Sequence, residues 1–262
     1  MKKINKIKVS VIMNCHNGAK YLGQSIKSLL KQKYKNWELI FWDNMSTDDS
    51  KKILFKYKKD KRIKYFKSKI FTSLYKARNT AIKKAGGKYI CFLDTDDWWN
   101  SNKLKEQINL IYKNKSINFI YTNFYIYNQI KKKKRINYNQ KLPSGMVSQF
   151  LLNNYKIGIL TVMINKKFFK HKKFNEKYNI IGDFDYFVNL SLKEKFFCIQ
   201  KPLAYYRYHD KNFSRKIDIY QNEFKIWKKK NEKKFLKLGY SFRNIKINYL
   251  KLKIKNLLNY TF

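Results

Sequence analysis

The chain has 262 residues, 44% of them hydrophobic, with two prolines and eight glycines. That suits one large α/β domain with an appendage and leaves too little Pro and Gly for a long disordered linker. Lys and Arg number 60 against 17 Asp and Glu, a formal charge of +43. This points either to a polyanionic partner, such as nucleic acid, acidic lipid or a phosphorylated substrate, or to codon bias, because Asn, Ile, Phe and Tyr are abundant too.

In chain order, Val9 to Met13 is a β-prone run followed by the polar turn Asn14-Cys15-His16-Asn17-Gly18. Leu22, Ile26, Leu29 and Leu30 then recur at helical spacing. The pattern repeats with a strand from Trp37 to Trp42 ending at Asp43, a loop of capping residues over 44–49, and a helix marked by Ile53, Leu54 and Tyr57. Ile63 to Phe66 is a third strand, and Leu74, Ala77, Ala81 and Ala85 mark a third helix closed by Gly86-Gly87. Tyr89 to Leu93 is the fourth strand and runs into Asp94-Thr95-Asp96-Asp97-Trp98-Trp99. Strands alternating with helices predict a mostly parallel sheet.

Leu104, Ile108, Ile111 and Tyr112 share a helical face after the acidic stretch, and Asn118 to Tyr125 is strand-like. The basic segment from Lys131 to Ser144 predicts an exposed loop or hairpin, and Gly158 to Ile164 a further strand. Gly182-Asp183-Phe184-Asp185 opens a helix through Val188, Leu190 and Leu192, and Phe196 to Ile199, Pro202 and Tyr205 to His209 read as strand and loop. Beyond 215, Ile217, Tyr220, Phe224 and Trp227, then Ile247, Leu250, Ile254 and Leu257, have helical spacing amid lysines. These stripes either complete the core or lie on an anionic membrane. The expected organisation is 1–214 as one α/β domain, with a donor half (1–100) and an acceptor half (101–214), and 215–262 as a basic helical extension.

Cys15, Cys91 and Cys198 are far apart, no CxxC occurs, and His16, His171 and His209 lack zinc spacing, so a disulfide framework and a zinc site are excluded. No apolar run reaches the roughly 18 residues of a membrane span. Met1-Lys2-Lys3 is followed by no signal-peptide core. A cytoplasmic location is expected.

The chemistry concentrates at strand ends. Asn14, Asp43 and the Asp94 to Asp97 cluster all fall at predicted carboxyl ends, where open parallel sheets bind ligands. Crowded carboxylates raise one another's pKa unless a cation intervenes, so the cluster is either a divalent-metal site or a solvated acidic turn. On an extended segment Asp94 and Asp96 point the same way and Asp97 elsewhere. Asp43 is either a turn residue or placed to accept hydrogen bonds from a base or ribose, and Arg78 either a surface salt-bridge partner or placed to neutralise phosphate opposite the metal.

These stretches, namely Val9 to Gly18, Trp42 to Asp48, Ala77-Arg78-Asn79-Thr80-Ala81, Phe92 to Trp98 and Tyr206 to Ser214, resemble a family 2 glycosyltransferase of the inverting GT-A type. Members of that class make bacterial surface polysaccharides and lipopolysaccharide. The resemblance implies a GT-A fold and a nucleotide-sugar donor, most commonly a UDP-sugar, with a glycan or lipid-linked acceptor. It implies that Asn14 and Asp43 contact base and ribose, and that Arg78 contacts the phosphate side. Asp94 and Asp96 correspond to the DXD pair, with Asp96, and Asp97 as a further candidate, nearest the Mg²⁺ or Mn²⁺ at the diphosphate; the extended-segment geometry alternatively assigns Asp97 to the sugar. Arg207 and His209 would belong to the loop closing over the diphosphate. Asp183 corresponds to the catalytic base, which usually sits in a Glu-Asp pair. Here Gly182 replaces the glutamate, and Asp185 is the alternative base. Acceptor binding is expected to desolvate Asp183 and raise its pKa.

Two other readings are a nucleic-acid-binding protein and a non-catalytic membrane-surface assembly protein on a decayed transferase fold. Neither accounts for polar residues recurring at strand ends, and nucleic acid is not the expected partner. A lipid-linked acceptor would place the chain peripherally at the inner face of the cytoplasmic membrane.

Overall fold

The computed structural model describes residues 7–259. Met1-Lys2-Lys3 and the side chain of Leu257 lie outside the described residues. The alternating pattern is present as β1 (Val9–Cys15), α1 (Ala19–Leu30), β2 (Trp37–Asp43), α2 (Ser50–Phe55), β3 (Ile63–Lys67), α3 (Leu74–Lys83) and β4 (Tyr89–Phe92). Each crossover returns the chain to the same end of the sheet, so β3, β2, β1 and β4 lie side by side and parallel. β2 and β4 are buried along their whole length, so β4 reads as an unbroken apolar run and β2 as one interrupted by Glu38 before it ends at Asp43.

A polar knot inside this half sets where β4 begins. Ser10 Oγ donates to Glu38 Oε1 at 2.6 Å, the Gly86 N–H donates to the same oxygen at 2.6 Å, and the Gly87 N–H donates to Ser10 Oγ at 2.8 Å. Lys8 and Lys64 reach Glu38 Oε2 at 3.0 and 2.7 Å. The Gly86-Gly87 turn is thereby fixed against β1 and β2. The acidic stretch after β4 consequently emerges beside their carboxyl ends.

The chain continues through β5 (Trp98–Trp99), α4 (Lys103–Lys113), β6 (Phe119–Asn128), β7 (Lys133–Ile136), α5 (Ser148–Asn153), β8 (Met163–Asn165), α6 (Phe168–His171), α7 (Gly182–Ser191), β9 (Phe197–Tyr208), α8 (Ile217–Lys237) and α9 (Arg243–Asn259). β8 joins β4 antiparallel, and β6, β9 and β5 extend the sheet beyond it. Most of the paired length is parallel, because the long β6 to β9 pairing is parallel as well.

Two sequence expectations are corrected. Gly158 to Ile164 is not one strand: Ile159–Thr161 is a 3₁₀ turn, and only Met163–Asn165 pairs. Thr161 turns the backbone back by giving both its N–H and its hydroxyl to the Gly158 carbonyl, at 2.9 and 2.7 Å. The reading of Phe196 to His209 as strand and loop gives way to one strand, Phe197–Tyr208, which Pro202 does not interrupt. β9 runs through it with register shifts opposite Thr122 to Phe124, and β5 pairs only with Ala204 and Tyr205, so the proline breaks no ladder on that side. The basic segment forms the hairpin strand β7 on β6.

The two faces of the sheet carry separate cores. Val9, Val11, Met13, Leu39 and Phe41 pack with α1 and α4, whereas Ile12, Ile40, Ile90 and Phe92 pack with α3 and α7. Phe224, Trp227 and Phe235 of α8 and Ile245 of α9 belong to the second core, where Trp227 lies 4.6 Å from the Phe184 ring. Among the described residues no helix is long and apolar enough to cross a membrane.

Candidate active site

The loops after β1 and β2 are knitted together at the carboxyl edge. Asn17 adopts φ 54°, and its Oδ1 accepts the Thr47 N–H at 2.8 Å. Asp48 accepts the Ala19 N–H at 2.9 Å and the Ser50 N–H at 3.0 Å, so one carboxylate serves the starts of both α1 and α2. A Cβ on Gly18 would stand 2.7 Å from Thr95 Oγ1. Glycine there lets the acidic turn rest on the β1 loop.

Asp43 is buried, and both its oxygens are engaged, Oδ1 by the Ser46 N–H at 2.7 Å and Oδ2 by the Tyr65 hydroxyl at 2.7 Å. Burial, and then Asp43 itself, push the Tyr65 phenol up. Asn14 is opposite in character. Its amide nitrogen and oxygen are buried and have no hydrogen-bond partner among the described residues. In the β1 to β2 register Asn14 neighbours Trp42 and Cys15 neighbours Asp43, so Asn14 and Asp43 leave opposite faces of the sheet.

The acidic stretch is not extended, which corrects the expected alignment of Asp94 with Asp96. β4 ends at Phe92, and the Asp97 N–H closes a turn on the Asp94 carbonyl at 3.2 Å. A turn abolishes the alternation on which that expectation rested. Each carboxylate consequently has its own partner. Asp94 takes Arg78 Nη2 at 2.8 and 3.0 Å. Asp96 Oδ2 lies 3.0 Å from His209 Nε2 and accepts Asn212 Nδ2 at 3.3 Å. Asp97 is buried and accepts the Arg207 N–H at 2.9 Å. Burial, and then the neighbouring carboxylates, push Asp96 up and Asp97 well up.

Arg207 is buried under this turn. Its Nε donates to the Asp96 carbonyl at 2.8 Å, its terminal nitrogens donate to Gln24 and Gln129, and its guanidinium lies 4.3 and 4.5 Å from the Tyr21 and Trp98 rings. His209 receives the Lys211 N–H on Nδ1 at 3.2 Å, which puts the neutral ring's proton on Nε2, facing Asp96.

Asp183 begins α7 and faces α3. The Tyr75 hydroxyl is 3.0 Å from Asp183 Oδ1 and accepts the Asp183 N–H at 3.0 Å, while Tyr155 donates to Oδ2 at 3.1 Å. Burial pushes Asp183 up, against the pull of Arg78 and the two phenols. Arg78 in turn lies 5.2 Å from the Tyr75 ring. Burial opposes its charge, but Asp94 and Tyr75 outweigh this and push its pKa up. Asp185 faces away from this group, accepting Trp227 Nε1 at 2.9 Å and Asn189 Nδ2 at 3.0 Å.

The structure thus joins Arg78 to Asp94, His209 to Asp96 and Arg207 to Asp97, and leaves Asn14 and Asp43 without a mutual contact. Sequence reasoning missed Tyr75, Tyr155, Tyr21, Gln24, Gln129 and Asn212. Tyr75 carried a signal, since it precedes Arg78 by one helical turn. Tyr155 lies in a loop with no distinguishing pattern.

Among the described residues no three His, Cys, Asp or Glu side chains gather into a metal cage. Asp94 and Asp96 nevertheless suit a hard cation. Their side chains are 31% and 27% exposed, and Mg²⁺ or Mn²⁺ is commonly held by one or two carboxylates together with substrate phosphates.

Comparison with known proteins bears on the family and the fold. The Escherichia coli UDP-Glc:alpha-D-GlcNAc-diphosphoundecaprenol beta-1,3-glucosyltransferase WfgD is 39% identical over 158 residues, and the match spans 60% of each chain. An uncharacterised glycosyltransferase of Haemophilus influenzae is 34% identical over 232 residues, 84% of this chain and 85% of that one. Among solved structures, S. aureus TarS 1-349 in complex with UDP-GlcNAc superposes with a TM-score of 0.66 at 18% identity, covering 83% of this chain and 66% of that one. This likeness identifies the fold as GT-A. The model for "Glycosyl transferase family 2" matches residues 10–187. With more than half its length matched, the chain belongs to glycosyl transferase family 2.

Proposed function

We propose that the chain moves a sugar, with inversion, from a nucleoside-diphosphate donor to a hydroxyl of a glycan or lipid-linked acceptor in cell-surface polysaccharide synthesis. The observation that carries this reading is the line from Asp94 through Arg78 and the Tyr75 ring to Asp183. It couples a carboxylate cluster suited to a diphosphate with a second, partly desolvated carboxylate suited to proton abstraction. UDP is the proposed nucleotide, because WfgD is named for UDP-Glc and TarS is solved with UDP-GlcNAc. A lipid-linked acceptor is proposed on the same footing, since the WfgD acceptor is a diphosphoundecaprenol-linked sugar. It would hold the chain at the inner face of the cytoplasmic membrane, where the charge of +43 favours anionic lipid.

In this mechanism the unpaired Asn14 amide and the remaining lone pairs of Asp43 meet base and ribose. Asp96, with Asp94 beside it, would hold Mg²⁺ or Mn²⁺, which supplies positive charge to the departing diphosphate. Arg78 contributes a fixed cation on the same side. His209 orients Asp96, and Arg207 fixes the turn carrying Asp96 and Asp97 from beneath. Asp183 takes the acceptor hydroxyl's proton on the face opposite the leaving group. Burial has already raised its pKa, which makes it a stronger base than an ordinary aspartate.

The test is a thermal-shift panel of UDP, dTDP and GDP with and without Mn²⁺, followed by transfer assays. Metal-dependent protection by UDP and sugar transfer are expected. Protection by none of the nucleotides would overturn the reading.

A further inference from the structure

A cavity of about 600 Å³ is lined by Asp183 but by none of Asn14, Asp43, Arg78 or the Asp94 to Asp97 turn. Its walls come from α5 and the loop after it, the start of α7, and the C-terminal helices α8 and α9. These two helices lie beyond the residues matched by the family model. The volume falls in the roughly 300–1,000 Å³ range of small-molecule sites.

Asp183 stands between this cavity and the donor carboxylates. Its Oδ1 faces Tyr75, on the helix that carries Arg78, and its Oδ2 faces Tyr155, which lines the cavity. A base that receives a proton from one substrate while the other departs needs access to two such sides. Among the described residues that line the cavity, two are charged, Asp183 and Lys251. Phe184, Tyr220 and Phe224 add aromatic faces and Asn248 an amide. A carboxylate and an ammonium in an otherwise uncharged cavity orient a ligand with a neutral, hydroxyl-bearing head and an anionic tail. Aromatic faces suit the C–H surface of a sugar ring.

We propose that this cavity is the acceptor subsite, and that it takes a glycosyl diphosphate whose sugar hydroxyl meets Asp183 and whose phosphates meet Lys251 and Asn248. The proposal rests on the transferase reading above and adds where that acceptor's sugar and phosphates bind and the role of α9. It makes α9 a specificity element, with Lys251 selecting for charge next to the sugar.

The experiment uses the full chain with Mn²⁺ and UDP-glucose, UDP-galactose and UDP-GlcNAc in turn. Two acceptors are compared, α-GlcNAc-diphosphate on a short alkyl chain and α-GlcNAc joined directly to the same chain. Lys251→Gln should raise KM for the diphosphate acceptor about tenfold, leaving KM for the neutral acceptor, KM for the donor and acceptor-free donor hydrolysis unchanged. An unchanged KM for the diphosphate acceptor overturns the proposal, and so does an equal loss on both acceptors. If the wild-type chain neither binds nor hydrolyses any donor, the transferase reading itself fails, and the acceptor subsite falls with it.

Discussion

A Cβ on Gly182 would stand 2.5 Å from the Tyr75 ring, so these two positions share one volume. Where the resembling family commonly places a glutamate beside the base, this chain places a buried phenol from α3. The exchange alters the electrostatics of Asp183. An adjacent carboxylate would raise its pKa by repulsion, whereas the Tyr75 hydroxyl hydrogen-bonds it and opposes the upward push of burial.

Tyr75→Phe removes that hydroxyl and little else. With a hydrogen bond to the charged form lost, the Asp183 pKa rises further, and the acid limb of the kcat profile moves to higher pH. Below the shifted limb, where more Asp183 is protonated, kcat should fall by about tenfold with donor KM unchanged, read from pH–rate profiles of both proteins. Gly182→Ala should lower Tm by displacing the ring, and Gly182→Ala with Tyr75→Ala should regain part of the loss. An unmoved acid limb in Tyr75→Phe would remove the positioning role.

Asp183 and Asp185 are two residues apart, yet they serve different neighbours, Tyr75 and Tyr155 for the first and Trp227 of α8 for the second. Asp183→Asn is expected to cut transfer by about a thousandfold or more, with UDP affinity within about twofold of wild type. Asp185→Asn keeps an oxygen for Trp227 Nε1 and should retain most turnover. Equal losses in the two variants would make Asp183 a structural residue. Transfer rates and UDP titrations on both variants decide it.

The first half of this fold was legible because β1, β2 and β4 are buried runs closed by unmistakable turns, and their ends carry Asn14, Asp43 and the aspartate cluster. What was not legible depends on contacts between distant segments. Nothing local shows that Asp97 meets the Arg207 N–H, or that Tyr155 meets Asp183. The aspartate cluster itself misled, because sequence spacing suggests an extended strand end while the Asp97 N–H closes a turn. Ile159 to Thr161 failed for a similar reason: its apolar pattern fits a strand, and the bonds from Thr161 to Gly158 override it.

Two aspartates of the turn, Asp96 and Asp97, make separable predictions about the metal. Asp96 is part-exposed with Oδ2 on His209 and Asn212, whereas Asp97 is buried and bonded to the Arg207 N–H. The Mn²⁺-dependent part of UDP protection should therefore vanish in Asp96→Ala and survive in Asp97→Asn, which preserves an acceptor oxygen. EDTA should remove the same increment from the wild type. Thermal shifts at fixed UDP check this, and an Asp96→Ala protein that keeps the Mn²⁺ increment would move the metal elsewhere.

Glu38 makes a prediction about folding rather than catalysis. Burial alone would raise its pKa, but Lys64, Ser10, Lys8 and the Gly86 N–H together lower it from 4.5 to about 2. A depressed carboxylate contributes stability that is full above its unfolded pKa and is lost as pH falls towards the folded value. The window is therefore between pH 4.5 and about 2. Glu38→Gln removes the charge that holds Lys8 and Lys64 and loosens the turn at Gly86 and Gly87, at a cost on the order of 2–3 kcal/mol near neutral pH. Urea unfolding of both proteins across this range should show the gap at its widest above about pH 5 and narrowing steadily as carboxylates protonate. A gap independent of pH would mean that Glu38 acts through packing and not through its charge.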